Sequence, residues 1–149
     1  MSIPTVVFDD FWIHAQSPEY SEILKDYVGK WMLFIPAKRI NETWDKIKRE
    51  TESGNLGIAA KTATMMPNAR SNDSFVQLIC VYTKDFSDLE DVKKVLGKLR
   101  DLGFAGRLNY KEDEATRSDI YGKGASLYTT SSGLEIKQMR APIEPNLVK

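Results

Sequence analysis

The sequence predicts an α+β fold: a curved, mostly antiparallel sheet with helices packed on one face. Three observations point to it. The elements read along the chain run β α β α β β α β β β. Two strands, Ile58 to Met65 and Phe75 to Tyr82, follow one another through a turn-rich link with no helix between them. The C-terminal stretch is rich in strands. A strictly alternating order would predict a parallel, doubly wound sheet instead. The chain has 149 residues, a length that suits one domain, placed at residues 1–140 with a Pro-bearing tail at 141–149. A chain of this size buries about 68–70% of its unfolded surface, enough for a self-sufficient core.

Thr5 to His14 reads as the first strand, because Val6, Val7, Phe8, Phe11, Trp12 and Ile13 crowd it with β-branched and aromatic side chains. Ser17-Pro18-Glu19 reads as the start of a short helix ending near Asp26. Gly29 breaks it, Lys30 to Ile35 is a strand, and Pro36 ends that strand. Asn41 is predicted to cap a helix from Glu42 to about Glu52, with Trp44, Ile47 and Thr51 on one face and Gly54 closing it. The stretch Met66 to Ser74 is a loop by its Pro67, Asn68, Asn72 and Asp73. Phe75 to Tyr82 is the most apolar strand. Ser87-Asp88-Leu89-Glu90 has the pattern of a capping box, and Leu89, Val92, Val95, Leu96, Leu99 and Leu102 continue it as an apolar helical stripe that stops at Gly103. Arg107 to Lys111 is a short strand. Glu112 to Gly124 is a polar loop with room for a helical turn. Ala125 to Thr130 and Leu134 to Met139 are the last strands, before a tail predicted to fray.

Composition narrows the function classes. Lys+Arg and Asp+Glu both number 21, giving zero net charge, which disfavours non-specific nucleic-acid binding. The one cysteine, Cys80, and the one histidine, His14, exclude an intramolecular disulfide and a multi-histidine metal site. No cofactor motif is found: no Gly-rich phosphate loop, no GxGxxG after a strand, no HExxH. No apolar run approaches the roughly 20 residues that span a bilayer. No signal peptide is visible, and a cytoplasmic location is expected. No metal, cofactor or membrane partner is expected.

Lys61 interrupts the small residues of Ile58 to Thr64. A lysine on a sheet face either stands partly desolvated, which suits it to general-base work, or points into water; the residues leave both open. Arg70 sits in the 66–74 loop, and arginine matches phosphate oxygens with a fork of donors. Arg107, Arg117 and Lys123 are further candidate anion contacts. Trp12, Trp31 and Trp44 are candidate stacking platforms, Trp44 being the one expected in the core. His14 is expected to be an ordinary strand-end histidine.

Gly29 to Phe34, Trp44 to Ile47, Gly54 to Gly57 with Ala60-Lys61, Val81 to Phe86 and Leu102 to Phe104 together resemble the basophilic leukemia-expressed protein family, over nearly the whole chain up to about Thr130. That family is similar in fold to the cap-binding translation initiation factor. The resemblance implies a curved antiparallel sheet with helices on its convex side and a phosphate-neutralising position at Arg70. The factor's second stacking tryptophan has no match here. A fainter resemblance is to bacterial effector phosphothreonine lyases. It implies Lys61 as base, Lys30 on the strand that supports it, Arg70 at the phosphate and Tyr82 in the active site. Met32 stands where those enzymes have their general-acid histidine.

The sequence therefore leads to three functional expectations. The first is a phosphate-recognising binding domain for a phosphorylated peptide or nucleotide on the open sheet face, RNA being a further candidate. The second is a lyase-like β-elimination enzyme using Lys61, Lys30 and Tyr82, with Arg70, Arg117 and Lys123 on the phosphate. The third is a protein-interaction scaffold without a small-ligand site.

Overall fold

The structure is a computed structural model that describes residues 3–4, 12–20, 26–64, 76–117 and 124–144. Its strands are β1 (Trp12–Gln16), β2 (Gly29–Pro36), β3 (Ala59–Ala63), β4 (Val76–Thr83), β5 (Leu108–Glu112), β6 (Tyr128–Thr130) and β7 (Lys137–Gln138). Its helices are α1 (Ile40–Glu52), α2 (Leu89–Asp101) and α3 (Asp113–Arg117). The strands form a seven-stranded sheet in the order β1-β3-β4-β2-β5-β6-β7. β1 pairs with β3, β2 with β5, β5 with β6 and β6 with β7, all antiparallel, so the α+β, antiparallel expectation holds. Among the described residues no helix is long and apolar enough to cross a membrane.

The first strand runs on to Gln16, two residues past its expected end at His14, and residues 5–11 lie outside the described residues. So do residues 21–25 of the helix expected after Ser17; just before them the chain makes a turn in which the Glu19 amide donates to Ser17 Oγ at 3.0 Å. The 66–74 loop, with Arg70, also lies outside them.

The chain forms two compact units, with β2 and β4 divided between them. The first holds Met1–Glu19 and Leu33–Val81. Here α1 packs on β1 and β3. Along β3 and onward, Ala60, Thr62 and Thr64 are buried while Ala59, Lys61 and Ala63 are half-buried, the period of two that sends alternate side chains to opposite faces. Ile40, Trp44, Ile47 and Thr51 form the buried side of α1. Asn41 does not cap it. A 3₁₀ turn over Ala37–Arg39 runs straight into α1, so the chain is already helical at Asn41 and no side-chain cap bond forms. The helix ends as predicted at Gly54 (φ +78°). The Gly54 amide donates to Thr51 O and the Asn55 amide to Glu50 O, the paired closure that a left-handed glycine permits.

The second unit holds Tyr20–Met32 and Tyr82–Lys149. The cap of α2 lies one residue later than the sequence suggested. Asp88 Oδ1 accepts from the Asp91 amide at 3.3 Å, whereas Ser87 Oγ donates to Asp85 Oδ1 at 2.6 Å. Val92, Val95, Leu96 and Leu99 are buried as the stripe predicts, and Leu89, in the first turn, is exposed. Trp31 is fully buried and donates from Nε1 to Val92 O at 3.1 Å, with its ring edge-on to Tyr110 at 5.2 Å. Tyr110 and Thr83 share a hydroxyl–hydroxyl hydrogen bond of 2.6 Å, and Tyr128 Oη donates to Phe86 O at 2.8 Å. The polar stretch after β5 contains α3, and the tail is held at least to Ile143, whose amide donates to Glu112.

Gly29 makes this aromatic packing possible, because a Cβ there would collide with the Tyr110 hydroxyl and ring. Gly29→Ala is expected to destabilise the protein by about 1–3 kcal/mol, the usual penalty of overpacking. In urea unfolding this should appear as a lower midpoint at unchanged slope, and Gly29→Ala/Tyr110→Leu should recover part of the loss.

Candidate functional site

In the first unit, β1 and β3 present a basic and aromatic face. The register sets His14 opposite Lys61 and Trp12 opposite Ala63. Trp12 and His14, two residues apart, therefore share a face with Lys61, and Trp12 is the diagonal neighbour of Lys61, within reach of a long side chain. The Lys61 ammonium lies over the Trp12 ring, 4.1 Å from its centroid. Trp12 and Lys61 are half-buried and His14 is exposed. A cation over an indole gains about 0.5–2 kcal/mol from the ring quadrupole. That attraction also limits how far the lysine sweeps. The result is a positioned cation next to an imidazole, an arrangement suited to an oxyanion.

The second unit contains Lys30 and Tyr82. Lys30 is almost wholly buried. Its ammonium donates to Asp113 Oδ1 at 2.9 Å and to Thr116 Oγ1 at 2.7 Å, and lies 5.9 Å from the Tyr82 ring centroid. Asp113 and Thr116 come from α3, which follows β5 directly. Opposite Lys30 on β5 is Lys111, also buried. Of the candidate residues, Lys30 and Tyr82 are thus brought together here, and Lys61 belongs to the first unit. Arg117 is the last residue of α3. Arg70 and Lys123 lie outside the described residues. Of the three tryptophans, Trp31 and Trp44 are buried, so they serve the core and Trp12 alone keeps an exposed surface for a ligand.

A second charged network was not visible in the sequence. Glu112, fully buried, receives Arg140 through Nη1 to Oε2 at 2.7 Å and Nη2 to Oε1 at 2.5 Å, and the Ile143 amide at 2.8 Å. Arg140 also donates to Ala125 O and Ala141 O. Burial pushes the Glu112 carboxyl up, but the Arg140 hydrogen bonds and charge, with the Ile143 amide, outweigh it and hold the carboxyl below the usual range. Burial pushes the Tyr110 hydroxyl strongly up, against the opposing Thr83 hydrogen bond, and raises Tyr128 as well. Among the described residues, no group of three or more His, Cys, Asp or Glu side chains is placed to hold a metal ion.

A family model described as Basophilic leukemia-expressed protein Bles03 matches residues 21–121. The matched span includes Lys30, Lys61 and Tyr82 and begins after Trp12 and His14.

Arg140→Met leaves the buried Glu112 carboxylate without its cation and is expected to cost about 3–5 kcal/mol in denaturant unfolding. The pH dependence has a definite sign. The folded carboxyl titrates below its unfolded value of about 4.3, so its contribution is complete above that pH and is lost as pH falls through the folded value. Glu112→Gln should flatten stability against pH in that acid window relative to wild type.

Proposed function

The chain belongs to the basophilic leukemia-expressed protein family, and we propose that it is a phosphate-recognising binding domain whose site is the Trp12–His14–Lys61 face. The observation that supports this most is the Lys61 ammonium held over the Trp12 ring, with His14 opposite it on β1. A phosphomonoester brings a charge of about −1.5 to −2 and three acceptor oxygens. Lys61 supplies an ammonium, and His14 an imidazole whose ring nitrogens hydrogen-bond. The ligand class is a phosphorylated peptide or a nucleotide, and the setting is cytoplasmic.

Binding is favoured over β-elimination by the state of Lys30. Two of its donors are engaged by Asp113 and Thr116, which suits a structural cation better than a support for proton abstraction, and Met32 offers no acid. The lyase reading would gain ground if a phosphothreonine peptide lost phosphate on incubation.

Calorimetric titration against phosphothreonine and phosphoserine peptides, cap analogues and mononucleotides tests the proposal. At least one should bind, and more weakly as salt rises. Lys61→Ala should weaken that binding roughly ten- to 100-fold, the range for one charge-assisted hydrogen bond. Equal binding by wild type and Lys61→Ala would remove the site from this face.

A further inference from the structure

Residues 134–144 of the second unit run along β6, and β7 is the part of them that pairs with it: Lys137 lies opposite Thr129 and Gln138 opposite Tyr128. Lys137, Gln138, Met139 and Ala141 are exposed, and Pro142 and Ile143 are half-buried, so apolar burial holds the segment only in part. Polar groups supply the rest. The Met139 amide donates to Leu127 O at 2.7 Å. Arg140 sets its fork on both oxygens of Glu112 and donates to Ala125 O, and the Ile143 amide closes on the same carboxylate. The accepting groups all belong to the body of the unit. Glu112 is the last residue of β5 and is fully buried, and Ala125 and Leu127, both buried, lead into β6.

Charge sets what these accepting groups select. A carboxylate taken out of water has to meet a cation of matching geometry, and an arginine fork satisfies both of its oxygens at once. When the segment leaves, water can solvate the carboxylate and the two carbonyls, which makes opening less costly than unfolding the aromatic core behind them. We propose that residues 134–144 are an autoinhibitory strap over a peptide-binding site formed by Glu112, Ala125 and Leu127, and that in trans the site takes an extended, arginine-bearing segment of a protein partner. The strap displays the pattern of that ligand. It offers a main-chain amide to Leu127 O, an arginine in the next position, and a further amide three residues on for the carboxylate. A partner segment adds beside β6 as β7 does. The strap opposes it with the high effective concentration of a tethered ligand. This inference is independent of the phosphate-binding reading.

Native-state hydrogen exchange on the wild-type chain tests the strap. The Met139 and Ile143 amides should be protected roughly tenfold or more weakly than the Leu127 amide, which donates to Tyr110 O behind them. Equal protection of Met139, Ile143 and Leu127 would mean that the segment opens only with the whole unit, and would overturn the strap. Fluorescence anisotropy tests the site, with a labelled peptide of residues 134–149 added to full-length protein. Arg140→Met protein, whose own strap has lost its anchor, should bind the peptide roughly tenfold or more tightly than wild type does. A peptide carrying Arg140→Met should lose that gain, and so should Glu112→Gln/Arg140→Met protein. Equal binding by wild type and Arg140→Met, equal binding with and without the peptide's arginine, or no binding to an Arg140→Met protein shown to be folded by circular dichroism would each overturn the site. Should Arg140→Met fail to fold, Arg140→Lys, which keeps the charge but lacks the fork, takes its place with the same direction of effect.

Discussion

Strand β5 buries opposite charges on its two faces, and much of the second unit follows from that constraint. Lys111 and Glu112 are consecutive and both buried, and consecutive strand residues point to opposite sides of the sheet. A charge taken out of water has to be met by partners with good geometry. On one side, Arg140 and the Ile143 amide close on Glu112, which fixes the path of the C-terminal segment. On the other, Lys111 lies opposite Lys30, and Lys30 draws Asp113 and Thr116 to its ammonium. Asp113 must therefore turn back toward β2 immediately after Glu112. Its amide donates to Val28 O at 2.9 Å, and α3 begins there.

The first unit treats its lysine differently. Lys61 is half-buried, and its ammonium lies against the aromatic face of Trp12. Two lysines of the same residue type thus have different physical environments. Lys30 is integrated into the packing of its own unit, while Lys61 is presented beside an exposed imidazole. A group that a ligand is to meet has to keep some access to solvent, which is why the proposed function rests on Lys61.

Much of the fold was legible because its signals are local. The stripe Val92, Val95, Leu96 and Leu99 marks α2, and Gly54 and Gly103 (φ +101°) mark helix ends where the chain turns left-handed. The misplaced caps at Asn41 and Ser87 reflect competing local chemistry: a 3₁₀ turn ahead of α1, and an Asp85 side chain that engages Ser87 before α2. The site was legible only in part. Lys61 stood out among small neighbours, but its contact with Trp12 depends on a register between strands far apart in sequence, and periodicity within either strand does not reveal that register. Trp31 could be read as core or platform until its Nε1 was seen to donate to Val92 O. Glu112 and Arg140 were missed because a loop was expected where β5 ends; the run Lys111-Glu112-Asp113 at a strand end was the available signal.

The most direct measurement is an NMR titration of the labelled protein with the tightest phosphorylated probe, following the indole N–H resonances of Trp12, Trp31 and Trp44, the His14 imidazole and the backbone amides. The account predicts saturable shifts at Trp12, His14 and Lys61, with the buried Trp31 and Trp44 indoles little changed. Saturable shifts centred on Lys30 and Tyr82, with Trp12, His14 and Lys61 unmoved, would contradict it.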